Sequence, residues 1–367
     1  MLAVPTGDPH PERALNVLIV ITSTQRRGAE IEGVQLTERL AASGYTTRVV
    51  ALTRGGGTLP VDVLGPSPTS PTTLRALRRA ARTTDVVIGY GSSTLPACAL
   101  ALTGTGTPFI YRSIGDPAAW VRGGLHRRRT RLLFGRAAHV VTLSDSSSAT
   151  IARLYDVPGP RRDAIPNARG SDVFQPPSDD ERASARRRWG VADRAGVVVS
   201  IGALTTEKRT WLAVEAAATT DQLTLLVAGD GPERARVEAA AGQLPDGRVG
   251  LLGQIDDPMS LLHAADVLLL TSSTEGMPGV VIEAGLCGVP VVATDVGMLS
   301  ELVDNGRSGV LLADADPAGV AEAIQRVLAD HDSFGRAAIE HTRANYTWDA
   351  VLPAWVDVLA RVARPQK

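Results

Sequence analysis

Short runs rich in valine, leucine and isoleucine alternate along this chain with stretches whose apolar residues recur at helical spacing, and the alternation stops once and begins again. A strand buried on both faces has to be apolar almost throughout, and neighbouring parallel strands have to be joined by a crossover, usually helical. The pattern therefore predicts an α/β chain with two parallel sheets covered by helices. In the first half strands are expected at 17–22, 47–52, 61–64, 85–89, 108–112, 139–143 and 163–165, with helices such as 30–42 and 73–82 between them. Residues 170–193 contain Pro176-Pro177, carry no strand pattern and are expected to be linker. Strands are expected again at 197–203, 223–229, 249–253, 267–271, 291–294 and 309–312. A last helical segment, 348–362, has no strand after it and is expected to cross back to the first domain. The division is thus 1–172, with 348–367 packing on it, and 173–347. Two such Rossmann-like halves are expected to face a central cleft, with ligands bound at the carboxyl ends of the strands.

The length of 367 residues suits two domains, and only 4% of them are aromatic, so the cores must be built from aliphatic side chains. The two cysteines, Cys98 and Cys287, lie far apart without metal-ligand spacing and are expected to be buried small hydrophobes in a reducing compartment. No apolar run reaches the roughly 20 residues that span a bilayer. Residues 15–21 lack the flanks of a signal peptide. The expected location is cytoplasmic, with peripheral contact at the inner membrane face left open. That option comes from the charge. Residues 1–172 hold 21 arginines against 12 acidic residues, a net of +9, whereas 173–367 hold 17 basic against 27 acidic, a net of −10. A basic first half suits an anionic or lipid-linked acceptor, or an anionic membrane face; complementary charging of two closing domains explains it equally. No nucleic-acid partner is expected.

The densest chemical signal runs from Thr271 to Ala284 and joins a strand to a helix: TSSTEGMPGVVIEA. Pro278 suits a first helical turn, which would leave the amides of Gly279, Val280 and Val281 unpaired, a ready phosphate site. Gly276 and Gly279 allow a ligand close to the backbone. Glu283 lies one turn inside the helix on the Gly279 face and can accept ribose hydroxyls, while Glu275, in the loop before it, can reach a transferred sugar. Lys208 stands out because only two of the 38 basic residues are lysine, the other being the terminal Lys367. It follows a strand where a compact ammonium could meet a diphosphate. Gly28, in the first strand–helix turn, offers a second phosphate-facing glycine. Gly229-Asp230-Gly231-Pro232 lacks the third glycine of a dinucleotide fingerprint, since Arg234 stands there, and this argues against a dehydrogenase. Asp314 and Asp316 formally match a metal-binding pair, but their place before Pro317 favours helix capping, so no metal and no cofactor is expected. The run from Arg122 to Arg136, with Arg127-Arg128-Arg129 and Arg131, is either an anionic docking face or a solvated helix face.

At these residues the chain resembles family 4 of the retaining glycosyltransferases, whose fold is called GT-B. The two glutamates separated by seven residues carry the resemblance, together with Val227-Ala-Gly-Asp-Gly-Pro232, Leu252-Gly-Gln-Ile255, 265–272, Gly288-Val-Pro-Val-Val-Ala-Thr294 and Tyr346-Thr-Trp348. The resemblance implies a nucleotide-sugar donor and sugar transfer with retention at the anomeric carbon. It assigns Glu275 to the donor sugar, Glu283 to the ribose, Lys208 to the diphosphate and the Ile255 loop to the base. Met277 and Pro278, with the amides of their helix and the Gly28 turn, would complete the phosphate site.

Four departures qualify that implication. Ala203 stands where the family has an arginine after Gly202, leaving Arg209 or Arg27 to substitute; the double glycine of the first turn is Arg27-Gly28; the linker Asn-Gly is Asn167-Ala168. The histidine common after the fifth strand is missing from Tyr111-Arg-Ser-Ile-Gly-Asp116, which leaves Asp116, Ser113 or Arg112 as acceptor-side candidates, Asp116 foremost. A sugar-nucleotide epimerase of the same architecture and a non-catalytic sugar-nucleotide-binding or partner protein are the alternatives.

Overall fold

The computed structural model describes residues 14–56, 59–115, 124–192, 194, 196–219 and 223–363. Its two runs of alternating elements close into two separate sheets, every paired strand parallel to its neighbour. One unit comprises Met1–Ile165 with Leu352–Lys367, the other Pro166–Val351.

In the first unit the strands are β1 (Asn16–Ser23), β2 (Thr46–Thr53), β3 (Asp62–Val63), β4 (Val86–Tyr90), β5 (Phe109–Arg112), β6 (His139–Thr142) and β7 (Arg162–Ala164). Their order is β3-β2-β1-β4-β5-β6-β7. Strand β1 shows why its sequence is apolar throughout: Val17 to Ile21 are all buried. Side chains alternate across a strand, so Leu18 and Val20 pack into one core with Leu77, Leu95 and Phe134 while Ile19 and Ile21 face the other side. The helix Gly28–Ala42 covers that second side so closely that a Cβ at Gly33 would press on Ile21. Cys98 is buried in the first core, and desolvation pushes its thiol up to about 12. Cys287 is likewise buried, free and raised to about 12.

The second sheet contains β8 (Val197–Ile201), β9 (Thr224–Ala228), β10 (Val249–Gly253), β11 (Val267–Leu270), β12 (Val291–Thr294) and β13 (Gly309–Leu312). Its order is β10-β9-β8-β11-β12-β13. Val198, Leu225, Leu269 and Val292 meet Ala213, Val237 and Ile324 from the covering helices in an aliphatic core.

Two local features differ from the sequence reading or extend it. The stretch expected to be linker contains the helix Asp179–Arg188. Ser178 and Glu181 form a reciprocal capping box, acidic residues fill the first turn and arginines the last, and all three complement the helix ends. Apolar periodicity missed this helix because Ala185 is its single buried residue. It is held by charge instead: Arg182 and Arg186 both pair with Asp266. At the C-terminus the helix Trp348–Val362 carries Pro353 just past the point where the chain passes from the second unit to the first. There Trp355, fully buried, stacks on Tyr90 with ring centroids 6.4 Å apart and lies under the Arg112 guanidinium at 5.5 Å.

Candidate active site

Strand order decides where the second unit can gather a ligand. The chain leaves β8 for β9 on one side and later returns to β11 on the other, so the loops after β8 and β11 emerge beside each other at a topological switch point. The two loops are stitched together. Arg209 donates from Nε to the Thr271 carbonyl at 2.8 Å and from Nη2 to the Ser272 carbonyl at 3.0 Å. Thr271 Oγ1 donates back to the Arg209 carbonyl at 3.0 Å, and the Ser273 amide reaches the Glu207 carbonyl at 2.7 Å. Arg209 itself adopts a left-handed backbone, φ 47°, between a short turn of 3-10 helix, Thr206–Lys208, and the helix Thr210–Ala218. Lys208 therefore ends that turn instead of opening the long helix.

Across the stitched loops Lys208 Nζ lies 2.6 Å from Glu275 Oε1. Ser272 Oγ donates to the same oxygen at 2.6 Å. The Glu275 side chain is 6% exposed and the Lys208 side chain 30%, so the carboxylate is sheltered and the ammonium is the accessible member. The backbone under Glu275 is clamped as well. Gly297, at φ 63°, runs against the Glu275 carbonyl so tightly that any Cβ would overlap it, and the Met298 amide donates to the Gly276 carbonyl at 3.2 Å. Ala203 leaves a small recess bounded by Gly202, Lys208, Thr271 and Ser272.

The helix beyond Glu275 is Gly279–Leu286, and Pro278 is its N-cap. This corrects the expected placement of Pro278 in the first turn: the proline's extended ψ of 120° keeps it outside. Its carbonyl then accepts from the Val281 amide at 3.2 Å, so Val281 is not one of the unpaired donors. Among the described residues no acceptor meets the amides of Gly279 and Val280, which retain the anion-attracting character of a helix start. Glu283 follows within the helix, and Arg169 Nε donates to its Oε1 at 2.6 Å. Asn167 Nδ2 donates to the Met277 carbonyl at 2.9 Å, which ties the segment after β7 to this loop.

Of the residues singled out from the sequence, Lys208, Arg209, Glu275, Gly276, Met277, Pro278, Gly279, Val280 and Glu283 thus come together in one unit. Ile255 is half-buried in the loop after β10 of that unit. Gly28 is the exposed first residue of its helix in the other unit, with open space where a Cβ would be. Asp116 and Arg122 lie outside the described residues. Arg112 is fully buried: it pairs with Glu32 at 3.1 Å and donates to the carbonyls of Thr142 and Ile165, so it braces the ends of β5 and β6 and the residue after β7. Ser113 is buried beside it. Asp316 Oδ1 accepts from the Gly319 amide at 2.9 Å as the N-cap of the helix Pro317–Ala329. The helix Gly124–Arg136 bears the expected arginines, of which Arg127 donates to the Leu154 carbonyl and Arg131 pairs with Asp156.

Sequence reasoning missed Ser272, Gly297 and Arg169. A serine three residues before a singled-out glutamate was a usable signal for the first. Arg169 had none, as one arginine among many.

Residues 195–330 match the family described as glycosyl transferases group 1, and residues 27–168 match the glycosyl transferase 4-like domain. The 2-deoxystreptamine glucosyltransferase of Streptomyces kanamyceticus is 34% identical over 205 residues, 53% of this chain and 52% of its own. A D-inositol 3-phosphate glycosyltransferase of Geodermatophilus obscurus is 35% identical over 221 residues, 54% of this chain and 47% of its own. The chain thus spans about half the length of the curated relatives it matches. Among solved structures, HepE of Anabaena in complex with UDP shares the fold with a TM-score of 0.83 at 21% identity, over 95% of this chain and 100% of that one. Two matched domains, two parallel sheets and the glutamate pair around Pro278 agree: the chain belongs to family 4 of the glycosyltransferases, with the GT-B fold.

Proposed function

We propose that this protein transfers a sugar from a nucleoside-diphosphate sugar to an acceptor, with retention at the anomeric carbon. The observation that carries the reading is the Lys208–Glu275 pair at the strand-order switch, next to a helix start with two open amides and Glu283 one turn inside. An ammonium and a helix N-terminus are the groups that stabilise a departing diphosphate, whose negative charge grows as the glycosidic bond breaks. In this proposal Glu275 contacts the sugar itself and Glu283 the ribose. The glycosyl-transferring names of the relatives support this reading over an epimerase or a non-catalytic binder, and the bound UDP of the Anabaena neighbour supports a nucleotide donor. The Gly28 turn and the Ile255 loop complete the donor site in this proposal, and Asp116 serves the acceptor side. The acceptor is an anionic or lipid-linked hydroxyl compound, in keeping with the arginine-rich first half.

Incubation with UDP-, GDP-, ADP- and dTDP-sugars and a panel of such acceptors tests the proposal. Release of nucleoside diphosphate coupled to a new α-glycosidic product is expected from an α-linked donor. Binding without turnover across the panel would favour the non-catalytic alternative, and an epimerised donor the other. Because Lys208 and the helix start supply the positive charge here, turnover is expected to persist in excess EDTA; its loss and restoration by a divalent cation would show that a metal does this work.

A further inference from the structure

Arg169 is 4% exposed, yet it belongs to no strand or helix. Its backbone is held on both sides by the second unit: its amide donates to the Tyr346 carbonyl at 2.9 Å, and its carbonyl accepts from the Trp348 amide at 3.2 Å. The side chain is held equally firmly. Nε donates to Glu283 Oε1 at 2.6 Å and Nη1 to the Ala168 carbonyl at 2.9 Å. The remaining nitrogen, Nη2, lies against Gly279, where a Cβ would run into it, and among the described residues no acceptor meets it.

This is a costly place for a cation. The start of the helix Gly279–Leu286 already carries partial positive charge, and a buried guanidinium there is unfavourable unless anions share it. Glu283 supplies one anionic partner through Oε1 only. A carboxylate accepts on both oxygens, so Oε2 is left for a ligand while Oε1 is anchored. A Cβ at position 279 would have to displace the Arg169 guanidinium.

We propose that Arg169 is the positioning residue of the ribose subsite: by anchoring Oε1 it fixes the Glu283 carboxylate so that Oε2 is presented to the ribose hydroxyls of the nucleotide. The inference rests on the donor reading given above, and it adds a residue to which neither the glutamate motif nor the phosphate-binding turn points. It also makes the arginine, and not only the glutamate, a determinant of discrimination between ribo- and deoxyribonucleotides. A site built to hydrogen-bond a hydroxyl rejects the analogue that lacks it, provided its own groups are held in place.

The test is a cycle of protein and ligand truncations. Dissociation constants are measured by calorimetry for UDP, GDP and ADP and for their 2′,3′-dideoxy counterparts, which lack both ribose hydroxyls, on the wild-type chain and on Arg169→Ala. Wild-type protein is expected to favour the ribonucleotide of at least one pair by about 10-fold, the value of one lost hydrogen bond to a charged group. Arg169→Ala is expected to lose that preference while binding the dideoxynucleotide within about 2-fold of wild type, since the interaction it removes is absent from that complex. A general loss of structure would weaken both ligands together. If Arg169→Ala does not fold, Arg169→Gln, which cannot make the charged contact, is measured with the same expectations. Equal weakening of both ligands, an undiminished preference in the variant, or no preference in the wild type each overturns the role of Arg169 and leaves the donor reading standing. Wild-type protein that binds none of the three ribonucleotides removes the donor reading itself.

Discussion

Lys208 and Glu275 are 67 positions apart in the chain and 2.6 Å apart in space, and they meet because strand order reverses between β8 and β11. An ammonium has three donors, so the bond to Glu275 leaves two for a diphosphate, and the 30% exposure of the lysine side chain makes them reachable. Lys208→Ala should therefore weaken nucleoside diphosphate binding by about 1.5–3 kcal/mol, the range for a hydrogen bond to a charged group. Isothermal calorimetry reads this directly. Affinity equal to wild type would remove the lysine from the donor site.

Glu275 is held by Ser272 as well as Lys208, and its side chain is sheltered from solvent. Glu275→Gln keeps the volume and one acceptor oxygen, so the loop should stay in place and nucleotide should still bind. Transfer should fall by roughly 10²–10³, as when one preorganised electrostatic contact to a transition state is lost. Product formation under saturating donor, beside a binding curve, separates the two effects. Unimpaired turnover would place the chemistry elsewhere.

The loop itself depends on a backbone contact that no side chain makes. At Gly297 the φ of 63° and the approach to the Glu275 carbonyl both exclude a Cβ. Gly297→Ala should destabilise the protein by about 1–3 kcal/mol or more and lower donor affinity along with it, since Glu275 moves when its carbonyl is displaced. At Gly28 nothing stands within 4 Å of a Cβ, so Gly28→Ala should leave stability at or slightly above wild type. Chemical denaturation of the two variants makes the comparison; equal losses would mean that the Gly297 contact is not a real constraint.

Much of this arrangement was legible in the sequence because it rests on local rules. Runs such as 17–21 are apolar on both faces, and only parallel strands inside a helical sandwich use them fully. The glutamates around Met277-Pro278-Gly279 stand on one strand–helix junction, and Lys208 is conspicuous among arginines. What stayed hidden depends on pairing at long range. Nothing local to Arg169 announces Glu283, 114 positions away, or Met277 as the acceptor of Asn167, 110 away. Arg112 read as an acceptor-side candidate because it ends the fifth strand, beside Ser113 and Asp116; only the fold shows that Glu32 and the carbonyls of Thr142 and Ile165 surround it. The helix Asp179–Arg188 escaped an apolar-periodicity reading for the opposite reason, being local but polar, and its capping box was the signal to use.

The first unit contains a buried histidine whose titration should appear in stability. His139 is 3% exposed, and its Nε2 meets Asp163 Oδ2 at 2.6 Å; Arg361, on the C-terminal helix, reaches the same carboxylate oxygen at 2.5 Å. Burial lowers the affinity of His139 for a proton below the ordinary value of 6.5; the bond to Asp163 opposes this, and the nearby Arg361 and Arg161 add to it. With the folded value depressed, the unfolded chain takes up the proton more readily, so this contribution to stability is complete above about pH 6.5 and is lost as pH falls through the folded value. A neutral replacement removes the titration while leaving the other ionisable groups in place. His139→Gln, whose amide can still donate to Asp163, should therefore show a shallower loss of stability than wild type between about pH 7 and 5, whatever its absolute stability at pH 7. Urea denaturation at four pH values compares the slopes. Parallel curves for the two proteins would mean that His139 takes up its proton equally well folded and unfolded.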